Sequence, residues 1–320
     1  MTTVPPVEPG CPPEETLTAP AVRRSAPGWL PLAAVAFTLL AWASAFVGIR
    51  HLGESVPPGS LALGRLVVAT VALGVLLLVS QRRIRVPPRR TWGLIALGGV
   101  SWIGVYNVAL NAGELRVDAG TAALIVQVGP LIVALLATVL LGERLTRWLV
   151  VGLAVGFGGV VLIAQASSAG PSGDLVGVLL VLVAAVGFAV GVLTQKKLLG
   201  DLGALEVTFW FYVAGTVACL PWTAEMVGAV GSTSAVDLGW WFYLGLVPSA
   251  LAFTTWAYAL STSEAGTFAM LTFLVPFITA LMAWLTLGEV PPPLAFVGGA
   301  LCIAGVLLTR YRPRASAEQG

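Results

Sequence analysis

Arg65 stands in the apolar stretch LALGRLVVAT (61–70), where charge is scarce. A guanidinium offers a planar fork of N–H donors that fits a carboxylate. Unpaired in hydrocarbon it costs on the order of several kcal/mol. Two uses compete: a structural one, by snorkelling or bonding backbone carbonyls, and the binding of an anionic group. Tyr106, Asn107 and Asn111 follow in another apolar run. Asn107 and Asn111 are four apart, hence on one helix face, and amides in lipid need partners, so that face points inward. Gln127 lies three residues before Pro130. A proline frees the carbonyl four residues earlier, here that of Val126, and Pro276 frees that of Thr272. Gln127 and Thr272 are therefore cavity candidates, with helix–helix hydrogen bonding as the competing role.

Trp42 with Ser44, and Trp256 with Tyr258, join an aromatic ring to a hydrogen-bonding tip and suit an amphipathic cavity as well as plain packing. Glu143 and Glu289 each close an apolar run. A carboxylate at a helix C-terminus is unfavourable, so each needs a partner on a neighbouring helix. With Pro130 and Pro276 they form the hinge or gating candidates.

Other chemistries find no residues. There is no HExxH, GxSxG or P-loop pattern, which argues against an enzyme. Cys11, Cys219 and Cys302 show no CxxC spacing, and His51 is the lone histidine. Neither a metal nor a cofactor is expected. A net charge of +2 suggests no nucleic-acid partner.

The elements that must position these residues are set by composition. Apolar residues make up 58% and charged residues 10% of the 320, too little charge to cover a water-facing surface. Ten apolar runs stand out, near 30–49, 61–80, 92–112, 119–141, 148–165, 175–194, 207–226, 238–260, 267–287 and 291–309. A membrane-crossing helix needs about 20 such residues, and a barrel strand half as many with alternation. The pattern predicts an all-α polytopic membrane protein of ten transmembrane helices. Residues 1–28 read as a disordered cytoplasmic tail rather than a secretory signal, and 311–320 as a second cytoplasmic tail. With the N-terminus inside, 14 Lys and Arg fall on the cytoplasmic side and only Arg50 and Arg116 outside, which predicts an N-in, C-in topology. The run interiors so drawn hold no Asp, Glu, Lys or His, so carboxylate-based ion coupling is not expected.

The chain also repeats itself. Residues 119–163 align without a gap on 265–309, with 18 identities in 45 positions, matching Pro130 to Pro276, Gly142-Glu143 to Gly288-Glu289, and Gly152 and Gly159 to Gly298 and Gly305. The copies lie five runs apart. An odd number reverses direction through the membrane, so the reading is of two inverted five-helix repeats, 29–166 and 174–310. The small-residue stripe Gly152/Gly156 suits internal packing or a homodimer seam.

The phrase TAALIVQVGPLIVALLATVLLGERLT resembles the EamA domain of the drug/metabolite transporter superfamily, as do TFAMLTFLVPFITALMAWLTLGE, WASAFVGIR and ALGRLVVA. The resemblance covers about 30–165 and 174–309. It implies a ten-helix secondary transporter in the cytoplasmic (inner) membrane, with a central cavity lined by both halves. It further implies alternating access for small metabolites, amino acids first, and export over uptake. Metabolite uptake, broad drug efflux, a channel or a membrane-embedded enzyme are the alternatives. The expected partners are a small-molecule substrate and the lipid bilayer.

Overall fold

The computed structural model describes residues 29–53, 55–116, 125–167, 174–287 and 293–310. The expected tails and Glu289 lie outside these. All regular structure among the described residues is helical, as it must be where lipid offers the backbone no hydrogen-bond partner.

Among the described residues, ten helical stretches follow one another. The first half has α1 (Trp29–Gly53), α2 (Pro58–Gln81), α3 (Arg89–Glu114), α4 (Val128–Leu140) and α5 (Arg147–Ser167). The second has α6 (Leu175–Leu198), α7 (Ala204–Ser232) and α8 (Ala235–Ser261). Then come α9, built from Ala265–Ala269, a 3₁₀ turn Met270–Phe273 and Leu274–Leu287, and α10 (Pro293–Arg310). Seven stretches are long and apolar enough to cross a membrane by themselves, and α4, α5 and α10 are shorter apolar helices. Large aliphatic side chains stand exposed along them, among them Val71, Val75, Val79, Leu285 and Leu307. Such a surface fits hydrocarbon rather than water.

The self-similarity runs through the whole fold. Helical segments that start at 58, 89 and 128 recur as segments that start at 204, 235 and 274, each 146 residues later. Within α3 the backbone widens to π-type turns over Gly99–Val105, and within α8 over Gly245–Leu251, again 146 apart. The widened turn of α8 surrounds Pro248, whose missing N–H makes regular bonding impossible there.

Glycines let equivalent helices meet backbone to backbone. A Cβ on Gly152 would stand 2.6 Å from the Gly305 carbonyl, and one on Gly159 2.5 Å from that of Gly298. Higher numbers on α5 thus meet lower numbers on α10, so the two helices run antiparallel. This seam uses the glycine stripe inside the chain. Thr70 and Thr216, themselves 146 apart, share a hydrogen bond of 2.8 Å between α2 and α7.

Contacts at the helix ends sort into two sets. His51 bonds Asp237 at 2.8 Å, Ser60 bonds Glu225 at 2.9 Å, and Arg116 bonds Asp174 at 2.9 Å. Arg90 meets Asp201 at 3.3 Å, and Lys196 Nζ donates to the carbonyls of Leu260 (3.0 Å) and Ser263. Every helix that has partners at both its ends reaches one set at one end and the other set at the other.

The main core gathers Leu66, Leu73, Phe211, Trp256 and Phe268 where the halves meet. Trp241, which its place beside Trp240 near a run end suggests as an interface anchor, is instead buried and donates to the Leu61 carbonyl at 3.1 Å. Gly64 opens the notch that receives its ring.

Candidate functional site

The site is best built from α2 and α3. Arg65 is buried on α2, and its Nε and one Nη donate to Ser249 Oγ at 3.2 and 3.1 Å. The Ser249 hydroxyl in turn donates a hydrogen bond to the Leu244 carbonyl at 2.8 Å, a bond five residues back that the widened turn of α8 makes available. The hydroxyl is therefore fixed as an acceptor, and the guanidinium is aimed. The rest of its fork faces a cavity of about 110 Å³ between the halves.

The described course of α3 corrects one expectation. The helix runs past Ala112 to Glu114, and the Glu114 carboxylate lines the same cavity. The membrane-spanning helices are thus not free of carboxylates. Glu114 and Arg65 line this one cavity, yet no ion pair joins them among the described residues.

Asn107 and Asn111 share the cavity wall, as their spacing predicts. Asn107 Nδ2 donates to the Ile103 carbonyl at 2.8 Å, and Asn111 Nδ2 to the Pro58 carbonyl at 3.2 Å. The second bond staples α3 to the start of α2. Tyr106 completes this wall.

Across the cavity, Gln127 and Thr272 meet. Gln127 Nε2 donates to the Thr272 carbonyl at 2.7 Å, the group to which Pro276, lacking an N–H, cannot give the regular helical bond. The freed acceptor is taken by the other half of the chain. Gln127, Thr272, Pro130 and Pro276 all line the cavity.

The floor is aromatic. Trp42 lies 4.8 Å from Trp256 and 5.3 Å from Phe253 between ring centroids, and Trp102 lies 4.9 Å from Phe253 and 5.4 Å from Phe188. Gly191 leaves the space that Trp102 fills. Trp42 is tied by its Nε1 to the Pro248 carbonyl at 3.1 Å. Trp42 lines the cavity, whereas Trp256 lies beneath it, fully buried, with no partner for its Nε1 among the described residues. Ser44 is turned away and bonds the Tyr243 hydroxyl at 2.6 Å, and Tyr258 is not part of the lining.

At the end of the bundle away from Glu114 the halves are tied by Glu143. Gly142 takes a left-handed conformation, φ 69°, that ends α4 and turns Glu143 back. Its carboxylate accepts from the N–H groups of Ala265 and Gly266 at 2.6 and 3.0 Å. A carboxylate that ends one helix thus caps the positive end of another, the kind of partner its position demands. Gln195, next to Lys196 in sequence, is fully buried, and both its amide atoms lack a partner among the described residues.

At the opposite end, Asp174 caps α6 through the Val176 N–H. The hydrogen bond from Arg116 is the main cause holding its carboxyl below the usual aspartate value. Among the described residues no group of three or more His, Cys, Asp or Glu is placed to hold a metal ion.

Comparison with known proteins accords with this architecture. The profile of the EamA-like transporter family matches residues 29–165 and 175–311. A probable terminal-alkyne amino-acid exporter of Streptantibioticus cattleyicolor is 39% identical over 279 residues, 87% of this chain and 93% of its own length. An uncharacterised transporter of Bacillus subtilis, YdfC, is 30% identical over 84% of this chain and 87% of its own. A solved crystal structure superposes with a TM-score of 0.71, covering 88% of this chain and 98% of its own at 18% identity.

Proposed function

Because the chain belongs to the EamA-like transporter family, we propose that it is a secondary carrier that exports amino acids or related small metabolites across the cytoplasmic membrane by alternating access. The observation that carries the reading is the cavity between the halves, lined from both, with Arg65 and several amides in its wall and a packed aromatic floor. A channel wants a continuous polar path, and the floor interrupts one. The exporter of Streptantibioticus cattleyicolor, named for an amino-acid cargo, supports the substrate class and the direction.

The architecture proposed is ten crossings in two inverted repeats, 29–166 and 174–310. In its favour stand the segment starts repeated at 146 residues, the antiparallel α5–α10 seam, and the end contacts that join only like ends. The 14 to 2 division of basic residues favours N-in, C-in. In that orientation Glu143 and Lys196 close the cytoplasmic end, and Glu114 and Asn111 lie toward the outside. The state described is then the outward-facing one. In the other state Glu143 releases α9, the floor parts, and Pro130 and Pro276 supply the bending points.

Purified protein in proteoliposomes loaded with unlabelled leucine tests this. A carrier gives saturable counterflow of labelled leucine, faster than entry into empty vesicles. Flux that is linear in concentration and indifferent to the load argues against a carrier.

A further inference from the structure

The halves repeat their backbone but not their chemistry. At the 146-residue spacing, Arg65 corresponds to Phe211, Asn107 to Phe253, Asn111 to Ala257 and Glu114 to Leu260. The backbone correspondence is close: a Cβ on Gly99 would stand 2.6 Å from the Phe211 carbonyl, and one on Gly245 2.8 Å from that of Arg65. Every hydrogen-bonding or charged member of these pairs is in the first half. The second half gives the cavity Phe188, Phe253, Val275, Pro276 and one polar residue, Thr272, whose hydroxyl is turned back to the Ala269 carbonyl at 2.8 Å. A cavity for a sugar would be polar on both sides, and one for a simple anion would not need Glu114.

The charges themselves are unfinished. Ser249 is the one acceptor for Arg65 among the described residues, and it uses only Nε and one Nη. Glu114 has no ion-pair partner among them. Opposite charges in an apolar setting cost a great deal unless each is met. Here they face one cavity and stay apart, and the Asn111 bond to the Pro58 carbonyl helps hold α3 at that distance from α2. A group that carries both signs would satisfy both.

We propose that the cavity binds α-amino acids as zwitterions and selects those with apolar side chains. Arg65 takes the carboxylate, Glu114 takes the ammonium group, and the side chain lies against the Phe188, Phe253 and Val275 face. The proposal rests on the amino-acid reading above and narrows it.

Binding, read apart from transport, tests it. Calorimetric titration of the detergent-purified full chain with leucine, N-acetyl-leucine, leucinamide and aspartate should give leucine at least tenfold tighter than the other three. In Glu114→Gln the preference for leucine over N-acetyl-leucine should fall to within threefold. Wild-type protein that binds leucine and N-acetyl-leucine alike, takes aspartate as well as leucine, or binds none of the four overturns the proposal. So does a Glu114→Gln protein that keeps the wild-type preference. Leucine bound with the expected preference but never moved in counterflow leaves the site assigned and removes the export reading instead, so the two failures are distinct.

Discussion

Glu143→Ala should loosen one end of the bundle and leave the rest folded. The carboxylate accepts two backbone N–H groups at 2.6 and 3.0 Å and sits at the positive end of α9. Hydrogen bonds to a charged group contribute about 1.5–3 kcal/mol when well shielded. Glu143 is only partly buried, so about 2 kcal/mol for the pair is reasonable once water competes. That corresponds to roughly a thirtyfold shift toward the state in which this end is open. A reporter is at hand in Ala259 of α8, fully buried next to the Leu260 carbonyl that Lys196 holds. With Cys11, Cys219 and Cys302 replaced by serine or alanine, Ala259→Cys should react with a soluble maleimide roughly thirtyfold faster in Glu143→Ala than in its parent. Glu143→Gln, which keeps one acceptor oxygen and loses the charge, should fall between. An unchanged alkylation rate in both, with or without a lower melting temperature, would refute the idea that this carboxylate holds the end closed.

Other consequences follow from individual contacts. Gly298→Ala puts a methyl 2.6 Å from the Gly159 carbonyl and 2.7 Å from Ile163; it should cost about 1–3 kcal/mol, read as a lower melting temperature in detergent. Ser249→Ala removes the acceptor that aims Arg65 and should weaken leucine binding about tenfold in calorimetry while leaving the N-acetyl-leucine to leucine ranking in place. Gln195→Leu replaces a buried amide with no partner by a group of similar size and should raise the melting temperature, a gain of about 1–3 kcal/mol. The Asp174 carboxyl is held below its ordinary value chiefly by Arg116. Its contribution is therefore present above about pH 3.9 and is lost as pH falls through the lowered folded value. A melting-temperature difference between wild type and Asp174→Asn at pH 7 should accordingly close in strong acid.

The helices were legible because each is a long apolar run that lipid forces to bond internally. The repeat was legible only where packing demands kept residue types, as at Pro130 and Pro276 or at the seam glycines. Over α1–α3 and α6–α8 the types have diverged, Arg65 against Phe211 being the plainest case, while backbone features such as the paired π-type turns persist. Glu114 was missed because a charge at the margin of an apolar run reads as its boundary. The signal was present nonetheless: Asn107, Asn111 and Glu114 are spaced four and three apart and share one helix face. Nothing in the sequence marks Ser249 as the partner of Arg65, since that bond depends on the widened turn around Pro248. Ser44, Trp256 and Tyr258 show the converse limit. Their types suit a cavity, but the rotation of α1 and α8 sends Ser44 to Tyr243 and buries Trp256 under the floor.

The alternating access proposed above requires one cavity that opens to the two sides in turn. Ile49 lines it near the Glu114 end, and Ala259 is buried toward the other. Alkylation of Ile49→Cys and of Ala259→Cys, each in reconstituted protein with and without leucine, measures both openings. Alternating access predicts reciprocal change, with leucine lowering one rate as it raises the other. Rates that rise or fall together would contradict it.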